Sequence, residues 1–453
     1  MPVNAGARLD RLPISSFHRR IMWLIGIGMF FDGFDIYVAA TVLGAMLKSG
    51  FSTMSQNAQF VSVTFIGMML GSFLTGFLGD RYGRRFTYQA NLAIFGLASV
   101  AAALAPSIRL LIFLRFIMGV GLGAENVVGY STMTEFVPPR ARGKWLGGMS
   151  IFVVSGLPVT ALLGMLVIPR YGWRAMFLLG GMGAMVVWYL RKALPESPRW
   201  LESVGRIEEA EALLRGIESE VSLRHGPLPP PATAPSANPS RSLTSLFSPL
   251  LLPRMVVGAV TLIVINTLIY GFVTWLPTFF VQEGRSIAIS FAYALVMSIG
   301  APIGSAIGAF TADLWGRKPT IIGASSLTIF IGSFYPFIKD TVVLQIAGFL
   351  LMIPIYILVT LLFAIYIPEL FPTEVRLRAS GICNTFGRGA TIVTPFIVVA
   401  LFRSYGIGGV LSLMIGLLIV QIIAVLTLGI EPKDRPLEEI ESAAAATAYP
   451  SKI

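Results

Sequence analysis

Five ionisable side chains, Asp32, Asp35, Arg115, Glu125 and Arg388, lie inside long apolar runs of this chain. A charge at the centre of a bilayer costs roughly 2.5–3.5 kcal/mol on insertion scales, so such groups face a watery cavity or a partner. Asp32 and Asp35 are three apart and share a helix face. Two neighbouring carboxylates resist losing both protons, which is the property a proton-coupled carrier needs. The alternative for either is a cap at a helix break beside Gly33. Glu125, followed by Asn126, is a further proton-site candidate. Arg115, ten residues before it, faces a cavity or partner or else snorkels toward the outer surface. Arg388 can grip a carboxylate through two parallel hydrogen bonds, or close a salt bridge to a carboxylate such as Glu125. Asn384, one turn earlier, and Asn266, Tyr270 and Trp275 on another run supply neutral polar and aromatic groups. An aromatic solute could stack on Tyr270 or Trp275, although Trp275 also suits an interfacial belt.

These residues need helices that cross a membrane. The 453 residues are 55% hydrophobic and 13% charged, against about 25% charged in soluble domains. Mean hydropathy is +0.77. Runs near the ~20 residues that span a bilayer occupy about 21–47, 60–79, 86–106, 110–136, 145–168 and 174–193. They resume at about 254–281, 288–311, 319–338, 341–367, 379–402 and 405–430. The expected fold is an all-α membrane protein of twelve helices in two six-helix bundles, 21–193 and 254–430. Segment 1–20, linker 194–253 and tail 431–453 would be cytoplasmic. Within the linker, Glu202 to Glu220 reads as a solvated helix, and 227–240, PLPPPATAPSANPS, as a flexible tether. With the N-terminus inside, 25 of 34 Lys and Arg residues fall on the cytoplasmic side and seven outside. The positive-inside rule then places both termini in the cytoplasm.

The chain repeats itself. Residues 67–85, GMMLGSFLTGFLGDRYGRR, align without gaps to 300–318, GAPIGSAIGAFTADLWGRK. Gly67, Gly71, Ser72, Phe77, Asp80, Gly83 and Arg84 match Gly300, Gly304, Ser305, Phe310, Asp313, Gly316 and Arg317 at an offset of 233. At offset 234, EFVPPRAR (135–142) matches ELFPTEVR (369–376). Two parallel six-span halves follow, with a solute site expected between them near the midplane.

Through these segments the chain resembles the major facilitator superfamily over about Trp23 to Gly429. Gly79 to Arg85 matches its loop 2–3 signature, and Arg115 with Gly119 resembles its fourth-helix signature. The resemblance implies a coupling role for Arg115. It also implies a cytoplasmic gate in which Asp80 pairs with Arg142 and Asp313 with Arg376, with Arg84, Glu135, Arg317 and Glu369 at the same helix ends. LPESPRWLESVGRIEEAEALL (194–214) is similar to sugar porters and organic-ion transporters. INTLIYGFVTWLPTFF (265–280) looks like organic-acid symporters and niacin-type transporters. Asp32-Gly33-Phe34-Asp35 and NTFGRGATIVTP (384–395) are similar to aromatic acid:proton symporters, whereas GLGAE (121–125) is nearer the sugar-porter and niacin-type side.

The expected function is proton-coupled import of a small organic anion, an aromatic or other monocarboxylate, across a bacterial inner membrane by alternating access. Asp32, Asp35 or Glu125 would take the proton, and Arg388 the carboxylate. Alternatives are drug or metabolite efflux, a sugar:proton symporter, and a non-transporting sensor. The Gly-Pro order of exporters is absent at Gly156-Leu157-Pro158. No enzyme constellation is present, and no cofactor is expected. The lone Cys383 excludes an intramolecular disulfide, and two histidines leave little for a metal. Basic residues form no dense patch for nucleic acid. Partners reduce to solute, protons and lipid, with one chain sufficient. Gly119, Gly121 and Gly123 follow no strand and are expected to pack helices instead of binding a nucleotide.

Overall fold

The computed structural model describes residues 3–231, 248–249, 251–282, 284, 286–371 and 376–431. Most of the Pro-rich stretch and all but the first residue of the C-terminal tail lie outside them. The described residues are all-helical. In chain order they form α1 (Ala5–Asp10), α2 (Ser16–Lys48), α3 (Met54–Tyr82), α4 (Arg84–Ala103), α5 (Ile108–Phe136), α6 (Pro139–Tyr171) and α7 (Arg174–Leu190). After the linker helices α8 (Pro198–Ser203) and α9 (Ile207–His225) come α10 (Leu252–Gly271), α11 (Leu276–Gln282), α12 (Ile287–Ser298) and α13 (Gly300–Trp315). The last are α14 (Arg317–Phe334), α15 (Thr341–Thr360), α16 (Ile367–Glu369) and α17 (Arg376–Leu428). Ten helical stretches among them are long and apolar enough to cross a membrane. The 53-residue α17 is interrupted at Gly406, whose φ of 62° is left-handed, a conformation cheap only for glycine. α2 runs unbroken past Gly33, so neither Asp32 nor Asp35 caps a break there.

Two compact units result. The first holds the chain up to Ile36, Val63–Gly156 and Arg174 onward into the linker. The second holds Tyr37–Ser62, Leu157–Trp173 and the chain beyond the linker.

Within each unit the repeat explains itself as packing. A Cβ on Gly67 or Gly71 would overlap the main-chain oxygen of Phe116 or Val120 on α5. A Cβ on Gly300 or Gly304 would overlap that of Phe349 or Ile353 on α15. The contacted residues keep the same offset as the glycines, so one helix pair is built twice. Gly119 and Gly123 return the contact against Thr64 and Met68, and Gly121 meets Asn91 and Phe95 of α4. Close approach, as membrane helices use small residues, accounts for the glycine series on α5.

The linker helix α9 is not simply solvated. Ala210, Leu214, Ile217 and Val221 form one buried stripe at helical spacing, and join Val3, Ala5, Leu9, Trp200 and Leu201 in one apolar cluster. Charges fasten α1 onto it. Glu202 accepts the main-chain N–H of Asn4 (2.8 Å) and Ala5 (2.9 Å), covering the positive end of α1. Arg8 binds Glu218 at 2.6 Å and Glu211 at 2.5 Å, and Arg11 adds a second bond to Glu218 at 2.5 Å. Burial pushes the Glu218 carboxyl up, but Arg8 and Arg11 together hold it below its usual range. A depressed carboxylate stabilises the folded form above its unfolded pKa and loses that contribution as pH falls through the folded value. The clasp should therefore hold at neutral pH and loosen in acid. Arg8→Glu sets like charges opposite Glu211 and Glu218, and should raise the rate of trypsin cleavage after Arg11 several-fold at pH 7. Equal cleavage of variant and parent would show that the clasp carries no restraint.

Candidate ion-coupling and solute site

α2 and α5 are long enough to carry charged residues at two depths of the first unit. At one depth, Arg115 of α5 donates from Nη1 to Asp35 Oδ2 (2.5 Å), from Nη2 to the Asp35 main-chain oxygen (3.0 Å), and from Nε to Thr64 Oγ1 on α3 (3.0 Å). Both side chains are only 1% exposed. Arg115 therefore does not snorkel outward. Asp32 is equally buried.

Ten residues along α5, Glu125 pairs with Arg191, not with Arg388. Arg191 sits in a 3-10 turn, Arg191–Ala193, directly after α7. Its guanidinium also donates to the main-chain oxygens of Leu24 (2.9 Å) and Ile25 (2.8 Å) on α2 and lies 4.6 Å over the Tyr88 ring of α4. Local sequence gave it the look of a loop charge, because it stands where an apolar run ends beside Lys192.

In the second unit, Tyr37 and Tyr356 share a hydroxyl–hydroxyl hydrogen bond of 3.0 Å. Tyr270 lies within electrostatic reach of both and of the half-buried Arg388. Arg388 is thus a cation near Tyr270, and Tyr270 in turn neighbours the Tyr37–Tyr356 pair. Tyr37 also lines a small apolar cleft with Thr41, Leu157, Val273, Ser298 and Met352. Asn266 and Asn384 each donate one amide hydrogen to their own helices, at Leu262 (2.7 Å) and Ser380 (2.9 Å). Trp275 is fully buried and stacked on Phe279, which stacks on Phe402. It belongs to the core, not to an exposed belt. Tyr37 and Tyr356 carried no sequence signal beyond being tyrosines in apolar runs.

At the helix ends the two halves again carry one device. Arg84 pairs with Glu135 at 2.9 Å, and Arg317 with Glu369 at 2.9 and 3.0 Å. Gly83 (φ 92°) and Gly316 (φ 97°) open α4 and α14 without a side-chain cap of their own. Glu196 takes that place for Arg84 N–H at 2.9 Å, and Glu431 for Arg317 and Lys318 N–H at 3.0 and 2.8 Å. A glutamate beside a proline where each half closes was the available signal for this pair. The side chains of Asp80, Arg142, Asp313, Arg376 and Asn126 lie outside those described.

The chain matches the family model described as sugar (and other) transporter over residues 21–444. It belongs to that family. It is 38% identical over 444 residues to the inner membrane metabolite transport protein YdjE of Escherichia coli, covering 96% of this chain and 98% of the relative. It is 31% identical over 439 residues to the niacin transporter NiaP of Acinetobacter baylyi, covering 96% and 99%. Its fold matches the major facilitator superfamily proton:xylose symporter XylE with a TM-score of 0.73 at 20% identity, covering 94% and 99%. This family member is therefore a multi-pass inner-membrane transporter of metabolites with the major facilitator fold, and not an enzyme.

Proposed function

We propose that this transporter imports a small organic anion, an aromatic or other monocarboxylate, together with protons, by alternating access. The observation that carries the reading is the buried Asp35–Arg115 pair on facing helices. Protonating Asp35 removes the charge that neutralises Arg115, so one proton decides whether α2 stays ion-paired to α5 at this level. A buried pair of this kind is a weak source of stability, which favours a working role. Asp32, three residues before it and as deeply buried, is the reserve acid, and Glu125 a further one. Arg388 beside Tyr270 offers a cation and an aromatic face to a carboxylate on a ring. The Acinetobacter relative, a niacin transporter, handles a solute with both features.

Counting Arg174–Leu190 and both sides of Gly406 gives twelve spans in two halves, with both termini cytoplasmic on the positive-inside rule. Arg84–Glu135 and Arg317–Glu369 would latch the cytoplasmic ends, together with the expected pairs Asp80–Arg142 and Asp313–Arg376. A second reading, sugar:proton symport, draws on the 27% identical arabinose-proton symporter of Bacillus subtilis.

A thermal-shift series on purified protein with nicotinate, benzoate, arabinose and xylose separates the two, since a ligand of the native state raises Tm. Nicotinate or benzoate should shift Tm, and Arg388→Ala should erase the shift. A shift with the sugars alone would sink the anion reading.

A further inference from the structure

The Arg191 guanidinium is held from three sides, and one of them is the main chain of α2. It meets the carboxylate of Glu125, the ring face of Tyr88 and the carbonyls of Leu24 and Ile25. Its side chain is 0% exposed. Room for it exists because residue 28 is glycine: a Cβ there would overlap the guanidinium nitrogens. The carbonyls of Leu24 and Ile25 are also the helical acceptors for the N–H groups of Gly28 and Met29, so Arg191 grips the helix itself and no replaceable side chain. Glu125 supplies the charge that makes burying the guanidinium tolerable.

Arg115 and Glu125 stand ten residues apart on α5, about 15 Å at helical rise. α2 is thus braced against α5 at two levels, through Arg115 at Asp35 and through Arg191 at Leu24–Gly28. The two braces differ in kind. The Asp35 brace takes its charge from a carboxylate on α2, which a proton can neutralise, alongside one main-chain oxygen. The Arg191 brace holds main-chain oxygens of α2, which no proton can remove. We infer that Arg191 is a positioning residue: it fixes the Leu24–Gly28 level of α2 as a pivot, with Glu125 as its counter-ion, while the Asp35 level is the end that lets go. The inference rests on the alternating-access reading for the movement that α2 makes, but the pivot can be measured with neither solute nor pH gradient.

The experiment is hydrogen–deuterium exchange on the purified full-length protein in detergent, followed in peptides covering residues 22–30 and 33–40, with Tm recorded alongside. Arg191→Gln should raise exchange at Gly28 and Met29 by about tenfold or more, as expected when local opening becomes easier. Gly28→Ala should do the same with every charge retained. Asp35→Asn should raise exchange in 33–40 only. Arg191→Gln with Glu125→Gln removes the uncompensated charge and should restore Tm, yet leave exchange at Gly28 and Met29 raised. Arg191→Lys keeps a charge near Glu125 but cannot reach both carbonyls, so it should preserve Tm and still raise exchange. If the single Gln variant does not fold, these last two carry the comparison. Unchanged exchange at Gly28 and Met29, or exchange that returns to the parent value with Tm in the double variant, would overturn the pivot and leave a purely structural pair. Failure of the proton-coupling reading would show instead in transport by Asp35→Asn.

Discussion

Arg115→Ala should abolish proton-driven accumulation and destabilise the protein more than any other single change of charge. The substitution leaves Asp35, 1% exposed, buried without its cation, and strips Thr64 and the Asp35 carbonyl of their donor. Removing one partner of a buried pair typically costs about 3–5 kcal/mol. Asp35→Asn removes the proton acceptor and leaves the guanidinium two neutral acceptors, so its loss of stability should be smaller while its loss of accumulation is as complete. Arg115→Met combined with Asp35→Asn removes both charges and should recover most of the stability but none of the coupling. Denaturation in detergent and pH-gradient-driven uptake in proteoliposomes check the two halves of this expectation. If Asp35→Asn accumulates solute as well as the parent, Asp35 is not the proton site, and Asp32 or Glu125 becomes the acid to test.

The second large effect is steric. Gly71→Val should prevent the first half from assembling, because even a Cβ at this position overlaps the Val120 carbonyl oxygen. Overpacking a well-filled site costs about 1–3 kcal/mol when side chains can shift, and here the obstacle is backbone. Gly304→Val should fail in the same way against Ile353. Gly332→Ala meets nothing within 4 Å and should be neutral or slightly stabilising, since alanine is the better helix former. Size-exclusion profiles of the three expressed proteins decide the matter. A monodisperse Gly71→Val protein with the parent's Tm would mean that α3 and α5 do not approach as described.

The repeat is where sequence and structure agree most closely. Gly67, Gly71, Gly83 and Arg84 recur as Gly300, Gly304, Gly316 and Arg317 because each pair meets the same local need: backbone contact, left-handed φ, or a carboxylate at the end of a later helix. Such needs are set by short-range geometry, so they leave a pattern along the chain. The charge partners leave none. Arg191 reads as one more positive loop residue, and nothing in its neighbours points to Glu125, sixty-six positions earlier. Likewise the helix Glu202 to Glu220 looks solvated from its alternating charges, until α1 and α8 arrive to cover Ala210, Leu214, Ile217 and Val221.

Hydropathy along the chain was enough to set the membrane class and its long apolar helices, because insertion energy is a sum over local residues. It was also enough to flag Asp32, Asp35, Arg115, Glu125 and Arg388, since a charge among apolar neighbours is conspicuous wherever it points. Which cation meets which acid was decided only when helices turned against one another. A pairing depends on the rotation and depth of two distant segments, which no property of either segment records alone.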